Sequence, residues 1–176
     1  MTDNPTATPH SLYSSYREML LEHLLAGEVM RFLWQRGNVR MEVLKPQVDD
    51  GGYDLLLEAN FISRHVQLKA SHSRAATHHV AVSLSLERRP SGCVVWTIFD
   101  EHTMELGPFL WFGGEPGMPL PKLRTSGYDV VKHIKANAKG VKSERPNLRS
   151  VPRRAFTKLD NVEQLVMQLF GPWKAP

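Results

Sequence analysis

Three polar side chains, Asp54, Gln67 and Lys69, have the types and the spacing that suit metal-assisted hydrolysis. Carboxylate and carboxamide oxygens are hard donors, and Mg²⁺ prefers oxygen ligands while keeping several waters. A neighbouring lysine can orient an attacking water or stabilise the charge that develops on a phosphate. The spacing D-x12-Q-x-K is permissive, however, and a half-solvated hairpin with a polar outer face explains it equally well.

A predicted β-hairpin carries these side chains, with strands GGYDLLLEA and ISRHVQLKAS. A two-residue turn at 60–61 sets Asp54 directly opposite Gln67, with their Cβ atoms about 4.5–5.5 Å apart. Alternation places His65, Gln67, Lys69 and Ser71 on one face of the second strand. We therefore expect Asp54 and Gln67 to reach one ion, with Lys69 one pleat further along.

The motifs GYDLLLE and HVQLKAS resemble the core of the PD-(D/E)xK nuclease superfamily, and are most similar to the branches with Q-x-K. The resemblance matches Asp54 to the motif aspartate, Gln67 to the D/E position and Lys69 to the motif lysine. It adds Glu28, in GEVMRFLWQRG, as a glutamate of the preceding helix. It implies metal ligation by Asp54, Gln67, the carbonyl of Leu68 and Glu28.

This resemblance covers residues 15–71 and implies a restriction-endonuclease-like α/β fold, a mixed β-sheet flanked by helices. The implied activity is Mg²⁺- or Mn²⁺-dependent hydrolysis of DNA phosphodiester bonds. Gln67 departs from the acidic residue of the family pattern. The departure removes one negative charge and should weaken metal binding.

The remaining elements follow from hydrophobic periodicity and turn residues. Apolar residues at three- and four-residue steps predict a helix over 11–35, with this stripe: Tyr16, Met19, Leu20, Leu24, Val29, Met30 and Leu33. Strands are predicted at 39–45, 80–86, 92–100 and 105–114, the third of them buried on both faces. A second amphipathic helix, capped by Asp160, is predicted to end at Gly171. The predicted organisation is a flexible tail (1–10) and one nuclease-like domain (11–176), with a core over 15–114 and a basic segment and C-terminal helix over 115–176.

The stretch 121–158 contains eleven Lys or Arg residues and only two acids. Such a stretch is either an exposed, solvated surface or a surface that follows a phosphate backbone. We favour nucleic-acid binding, since few acids neutralise the charge locally. The predicted contacts are Lys132, Lys135, Lys139, Lys142, Arg145, Arg149, Arg153 and Arg154.

Composition limits the class of protein further. The 176 residues carry a net charge of +4, and Cys93 is the only cysteine, which excludes a disulfide framework. No apolar run has the roughly 20 residues of a membrane span, and the polar start of the chain does not resemble a signal peptide. We expect a cytoplasmic protein, with a homodimer left open as an assembly. Two other functions also stay open: a non-catalytic nucleic-acid-binding module with a degenerate nuclease site, and a basic protein-interaction domain.

Overall fold

The computed structural model of the protein describes residues 13–37, 40–48, 50–133, 140 and 142–172. Two α-helices lie within these residues, α1 (Ser14–Gln35) and α2 (Val162–Phe170). The β-strands in the same residues are β1 (Met41–Leu44), β2 (Leu55–Ala59), β3 (Ile62–His72), β4 (His79–Ser83), β5 (Gly92–Phe99), β6 (Leu106–Gly113), β7 (Val130–Lys132), β8 (Glu144–Pro152) and β9 (Thr157–Leu159).

A six-stranded mixed sheet forms the centre of the molecule, in the order β1-β2-β3-β5-β6-β9. β3 and β5 run parallel, and the other neighbours in this sheet are antiparallel. All residues of β5 are buried, as its continuous apolar sequence predicts. The predicted mixed α/β architecture is therefore confirmed.

Both helices pack on one face of this sheet. Their apolar stripes meet the residues of β2, β3, β5 and β6 that point to the same side, in a core that includes Leu25, Val29, Leu57, Val66 and Leu165. α2 begins one residue later than predicted. Its N-cap is Asn161, whose side chain accepts a hydrogen bond from the amide of Gln164 at 3.0 Å.

The opposite face of the sheet is covered by three more strands and by no α-helix of the described residues. An antiparallel sheet, in the order β4-β8-β7, packs there around a second core that contains Val82, Leu86, Trp96, Phe112 and Val151. The prediction that helices flank the sheet is thus correct for one face only. The physical reason lies in the segment between β3 and β5, which forms β4 and a short 3₁₀ turn (Leu84–Arg88) in place of a crossover helix.

Cys93 and the aromatic residues of β5 and β6 belong to these cores. Trp96 and Cys93 have no exposed surface, and Phe109 and Trp111 are nearly as well buried. Burial raises the pKa of the Cys93 thiol to about 12, so the group stays protonated at neutral pH.

None of the helices described is both long and apolar enough to span a membrane.

Candidate functional site

The β2–β3 hairpin has the turn and register predicted from its sequence. Leu55 pairs with Val66 and Ala59 with Ile62. The turn residues Asn60 and Phe61 have positive φ angles of 53° and 61°, as a two-residue type I′ turn requires. The turn therefore sets the position of the candidate residues along both strands.

Asp54 departs from this register at the point where β2 begins. Its amide donates to the carbonyl of Val66 at 2.8 Å, although the register partner of Val66 is Leu55. Its carboxylate Oδ2 accepts a hydrogen bond from the amide of Leu68 at 2.6 Å. β2 pairs with β3 no further than Val66, while β3 continues to His72. The Asp54 side chain thus occupies the edge of β3 where the partner strand stops.

A cavity of about 370 Å³ opens at this edge, between β3 and the first half of α1. Its lining residues are Arg17, Glu18, Leu21, Glu22, Asp54, Leu68, Lys69 and Ala70. We call it the β3 cavity. Three of the predicted site residues, Asp54, Leu68 and Lys69, are brought together here, and the cavity is open to solvent.

Gln67 does not line the β3 cavity. Its side chain is 7% exposed and its Oε1 accepts a hydrogen bond from the amide of Ser83 at 3.1 Å. Gln67 therefore faces the three-stranded sheet, whereas Asp54 lines the β3 cavity. Asp54 leaves the regular ladder at this point, and its carboxylate accepts a hydrogen bond from the amide of Leu68.

Glu28 is also absent from the β3 cavity. Its carboxylate forms an ion pair with Arg31, three residues further along the exposed side of α1. The glutamates of α1 that line the cavity are Glu18 and Glu22, the second of which also pairs with Lys45. Glu18 and Glu22 are four residues apart and therefore lie on the same face of the helix. This spacing is the sequence feature that could have identified them as a pair.

The oxygen donors of the β3 cavity suit a hard divalent cation. Glu18, Glu22 and Asp54 supply carboxylates, and the backbone of Leu68 borders the same space. Among the described residues, however, no three His, Cys, Asp or Glu side chains lie close enough to form a metal site by themselves. This arrangement fits a cation that keeps several waters and completes its shell with substrate oxygens, as Mg²⁺ does.

The predicted nucleic-acid contacts are distributed around β7 and β8. Lys132 lies in β7, Arg145 and Arg149 lie in β8, and Arg153 and Arg154 begin the 3₁₀ turn (Arg153–Ala155) that follows it. Lys142 precedes β8, whereas Lys135 and Lys139 lie outside the described residues. In the part of the chain that is described, none of the six has a carboxylate within 4.0 Å, in contrast to the following residues: Arg31, Arg36, Lys45, Arg74 and Lys158.

Comparison of the chain with protein-family models, with curated proteins and with solved structures gave no match.

Proposed function

We propose that the protein is a metal-dependent nuclease that hydrolyses DNA phosphodiester bonds in the β3 cavity. The observation that carries the proposal is the position of Asp54, whose carboxylate is held at the open edge of β3 in the same cavity as Lys69. An aspartate and a lysine that line one solvent-reached cavity at a strand edge are suited to phosphoryl chemistry. The resemblance to PD-(D/E)xK nucleases, carried by Asp54, Gln67 and Lys69, points to the same reaction.

Asp54 is the main metal ligand in this proposal. Mg²⁺ or Mn²⁺ would be held by Asp54 and the carbonyl of Leu68, with Glu18 or Glu22 taking the role that the sequence suggested for Glu28. The bound ion supplies a Lewis acid that polarises a phosphoryl oxygen and neutralises its charge. The hydrogen bond from the Leu68 amide to Oδ2 holds the Asp54 carboxylate at the edge of β3.

Lys69 acts on the substrate and on the attacking water. Its ammonium group either orients the water or stabilises the negative charge that builds up on the phosphate in the transition state. Gln67 supports Lys69 from a distance, since its hydrogen bond to Ser83 fixes β3 against β4 two residues before Lys69. We therefore assign Gln67 a positioning role.

DNA is the proposed substrate because the molecule has a net charge of +4 and because six basic residues near β7 and β8 have no carboxylate within 4.0 Å among the described residues. Basic side chains without carboxylate partners are available for phosphate contacts, which provide most of the affinity for a nucleic-acid backbone. A non-catalytic nucleic-acid-binding module is the second candidate. It is favoured by the position of Gln67, which is buried, binds the amide of Ser83 and does not line the β3 cavity.

Plasmid nicking in Mg²⁺ or Mn²⁺, with EDTA as the blank, tests the proposal. Asp54→Asn keeps an acceptor for the Leu68 amide but removes the charge, and we expect at least about a 100-fold loss of activity because a bound metal contributes several kcal/mol. Lys69→Met should lower kcat to a similar extent.

Asp160→Asn is the matched control, because Asp160 pairs with Lys158 on the surface at 2.6 Å and does not line the cavity. Cleavage that survives both Asp54→Asn and Lys69→Met would contradict the nuclease assignment. DNA binding without any metal-dependent cleavage would favour the second candidate.

A further inference from the structure

Arg153 occupies an unusual position among the basic residues near β8. Its guanidinium carbon lies 5.6 Å from the centroid of the Trp96 ring, within the range of a cation–π contact. Its amide donates to the carbonyl of His78 at 2.7 Å, which fixes the backbone where β8 ends. The side chain remains exposed to solvent although it rests on a fully buried indole.

Trp96 connects Arg153 to the strand that carries the candidate site. Lys69 is the register partner of Trp96 in the parallel β3–β5 pair, so both side chains leave the sheet on the same face. The indole Nε1 donates to the hydroxyl of Ser71 at 3.0 Å, and this hydrogen bond fixes the ring on β3. Trp96 thus lies next to Lys69 in the sheet, with its ring under the guanidinium group of Arg153.

Neither of these two cations forms an ion pair within the described part of the chain. Within the described residues, no carboxylate lies within 4.0 Å of Lys69 or Arg153, whereas Arg31, Arg36 and Lys45 all form ion pairs. A guanidinium group that stacks by its face on an aromatic ring keeps its N–H edges available for bidentate phosphate contacts.

We propose that Arg153 is a phosphate-positioning residue, which holds a backbone phosphate of the nucleic acid next to the one that reacts at Lys69. The inference takes the identity of the substrate from the proposed function. It adds that Arg153 is the residue that joins the basic side chains near β7 and β8 to the β3 cavity. In this arrangement the substrate is a polymer with at least two neighbouring phosphates. Arg153 acts on binding and not on the chemical step.

The test measures binding separately from cleavage. Fluorescence anisotropy of a labelled DNA duplex and of the matching single strand, in EDTA and over a range of KCl concentrations, reports phosphate contacts through the slope of log K against log salt. Arg153→Gln should reduce the magnitude of this slope by about 1, the value for one lost contact. Arg153→Lys keeps the charge and should retain most of the slope.

Arg88→Gln is the matched control, since Arg88 is exposed and its loss removes the same charge. It should leave the slope unchanged. In the nicking assay, Arg153→Gln should raise KM and leave kcat unaltered, the pattern of an interaction made equally in the ground and transition states.

A salt slope that Arg153→Gln leaves unchanged would overturn the inference, and so would a slope reduced equally by Arg88→Gln. A Tm decrease without a change in slope would also overturn it, because the residue would then only pack on Trp96. The proposed nuclease activity fails by a different result, which is cleavage indifferent to Asp54→Asn. The two proposals are therefore separable.

Discussion

Asp54 is positioned by one departure from the hairpin ladder. If it had continued the register of β2, its amide and side chain would follow the pleat, and the carboxylate would lie over Gln67. Instead its amide binds the carbonyl of Val66 and its carboxylate accepts the amide of Leu68. The negative charge is consequently held at the strand edge, where the β3 cavity begins.

The glutamates of α1 lead to a prediction at the same scale. Glu18 and Glu22 line the β3 cavity, whereas Glu28 pairs with Arg31 outside it. We expect Glu18→Gln or Glu22→Gln to raise the Mg²⁺ concentration needed for half-maximal nicking by about tenfold. This is the lower end of the loss in metal affinity that is usual when a residue supporting a metal site is replaced.

Glu28→Gln is the matched control for this metal titration, with the same change of charge on the same helix. It should leave the Mg²⁺ requirement unaltered. If Glu28→Gln changed the requirement and the two cavity variants did not, the assignment of the helix carboxylates would have to be reversed.

At the scale of elements, α2 is fixed to the sheet by a buried arginine of β3. The Arg64 guanidinium donates to the carbonyls of Leu169 and Gln168, both at 2.7 Å, and to that of Gly114 at 3.0 Å. It also lies 5.2 Å from the ring of Trp111. Burial lowers the pKa of Arg64, but from a value so high that the group stays charged. One side chain thus satisfies two of the last carbonyls of α2, which have no partner within the helix.

Arg64→Met should destabilise the protein by about 2–4 kcal/mol, because it leaves buried carbonyls without donors. The free energy of unfolding in urea measures the effect. Arg64→Lys should recover only part of it, since an ammonium group cannot reproduce the planar fork of donors.

Arg36→Met is the control for this pair of elements. Arg36 joins α1 to Glu163 of α2 by an ion pair of 2.9 Å between side chains that are about half exposed. Its loss should cost less than about 1 kcal/mol. An equal effect of Arg36→Met and Arg64→Met would contradict the role assigned to the buried guanidinium.

At the scale of the whole molecule, two hydrophobic cores share the six-stranded sheet. One lies under the helices and the other under the three-stranded sheet, and β5 contributes alternate residues to both, Val95 to the first and Val94 to the second. Because neither core can be exposed without disrupting β5, we expect the two layers to unfold together.

Leu165→Ala in the first core and Leu86→Ala in the second test this expectation, since both leucines are fully buried. Each should lower the free energy of unfolding by about 2–5 kcal/mol within a single transition. Circular dichroism and tryptophan fluorescence, followed in urea, should give coincident curves. Separate transitions for the two variants would instead indicate two independent folding units.

The local sequence pattern determined the secondary-structure elements and the register of the two hairpin strands. Alternation and the two-residue turn predicted the register of β2 with β3, and the apolar run predicted the buried strand β5. These properties depend on neighbouring residues, whose periodicity is fixed by backbone geometry. The helix predicted over 11–35 is present for the same reason as α1, over Ser14–Gln35.

Tertiary packing decided which face each side chain presents. The stripe predicted for α1 included Met19 and Met30, yet both are exposed, and the helix buries Leu21 and Leu25 instead. That rotation, set by the sheet beneath the helix, is also what brings Glu18 and Glu22 to the β3 cavity.

The sequence by itself determined a hairpin that carries Asp54, Gln67 and Lys69 on a mixed α/β scaffold. Only the tertiary structure decided that Asp54 and Lys69 share a cavity while Gln67 binds the amide of Ser83. The reason is physical: local periodicity fixes the spacing of side chains along a strand. The end of a partner strand and the contacts of a second sheet depend on residues distant in the chain.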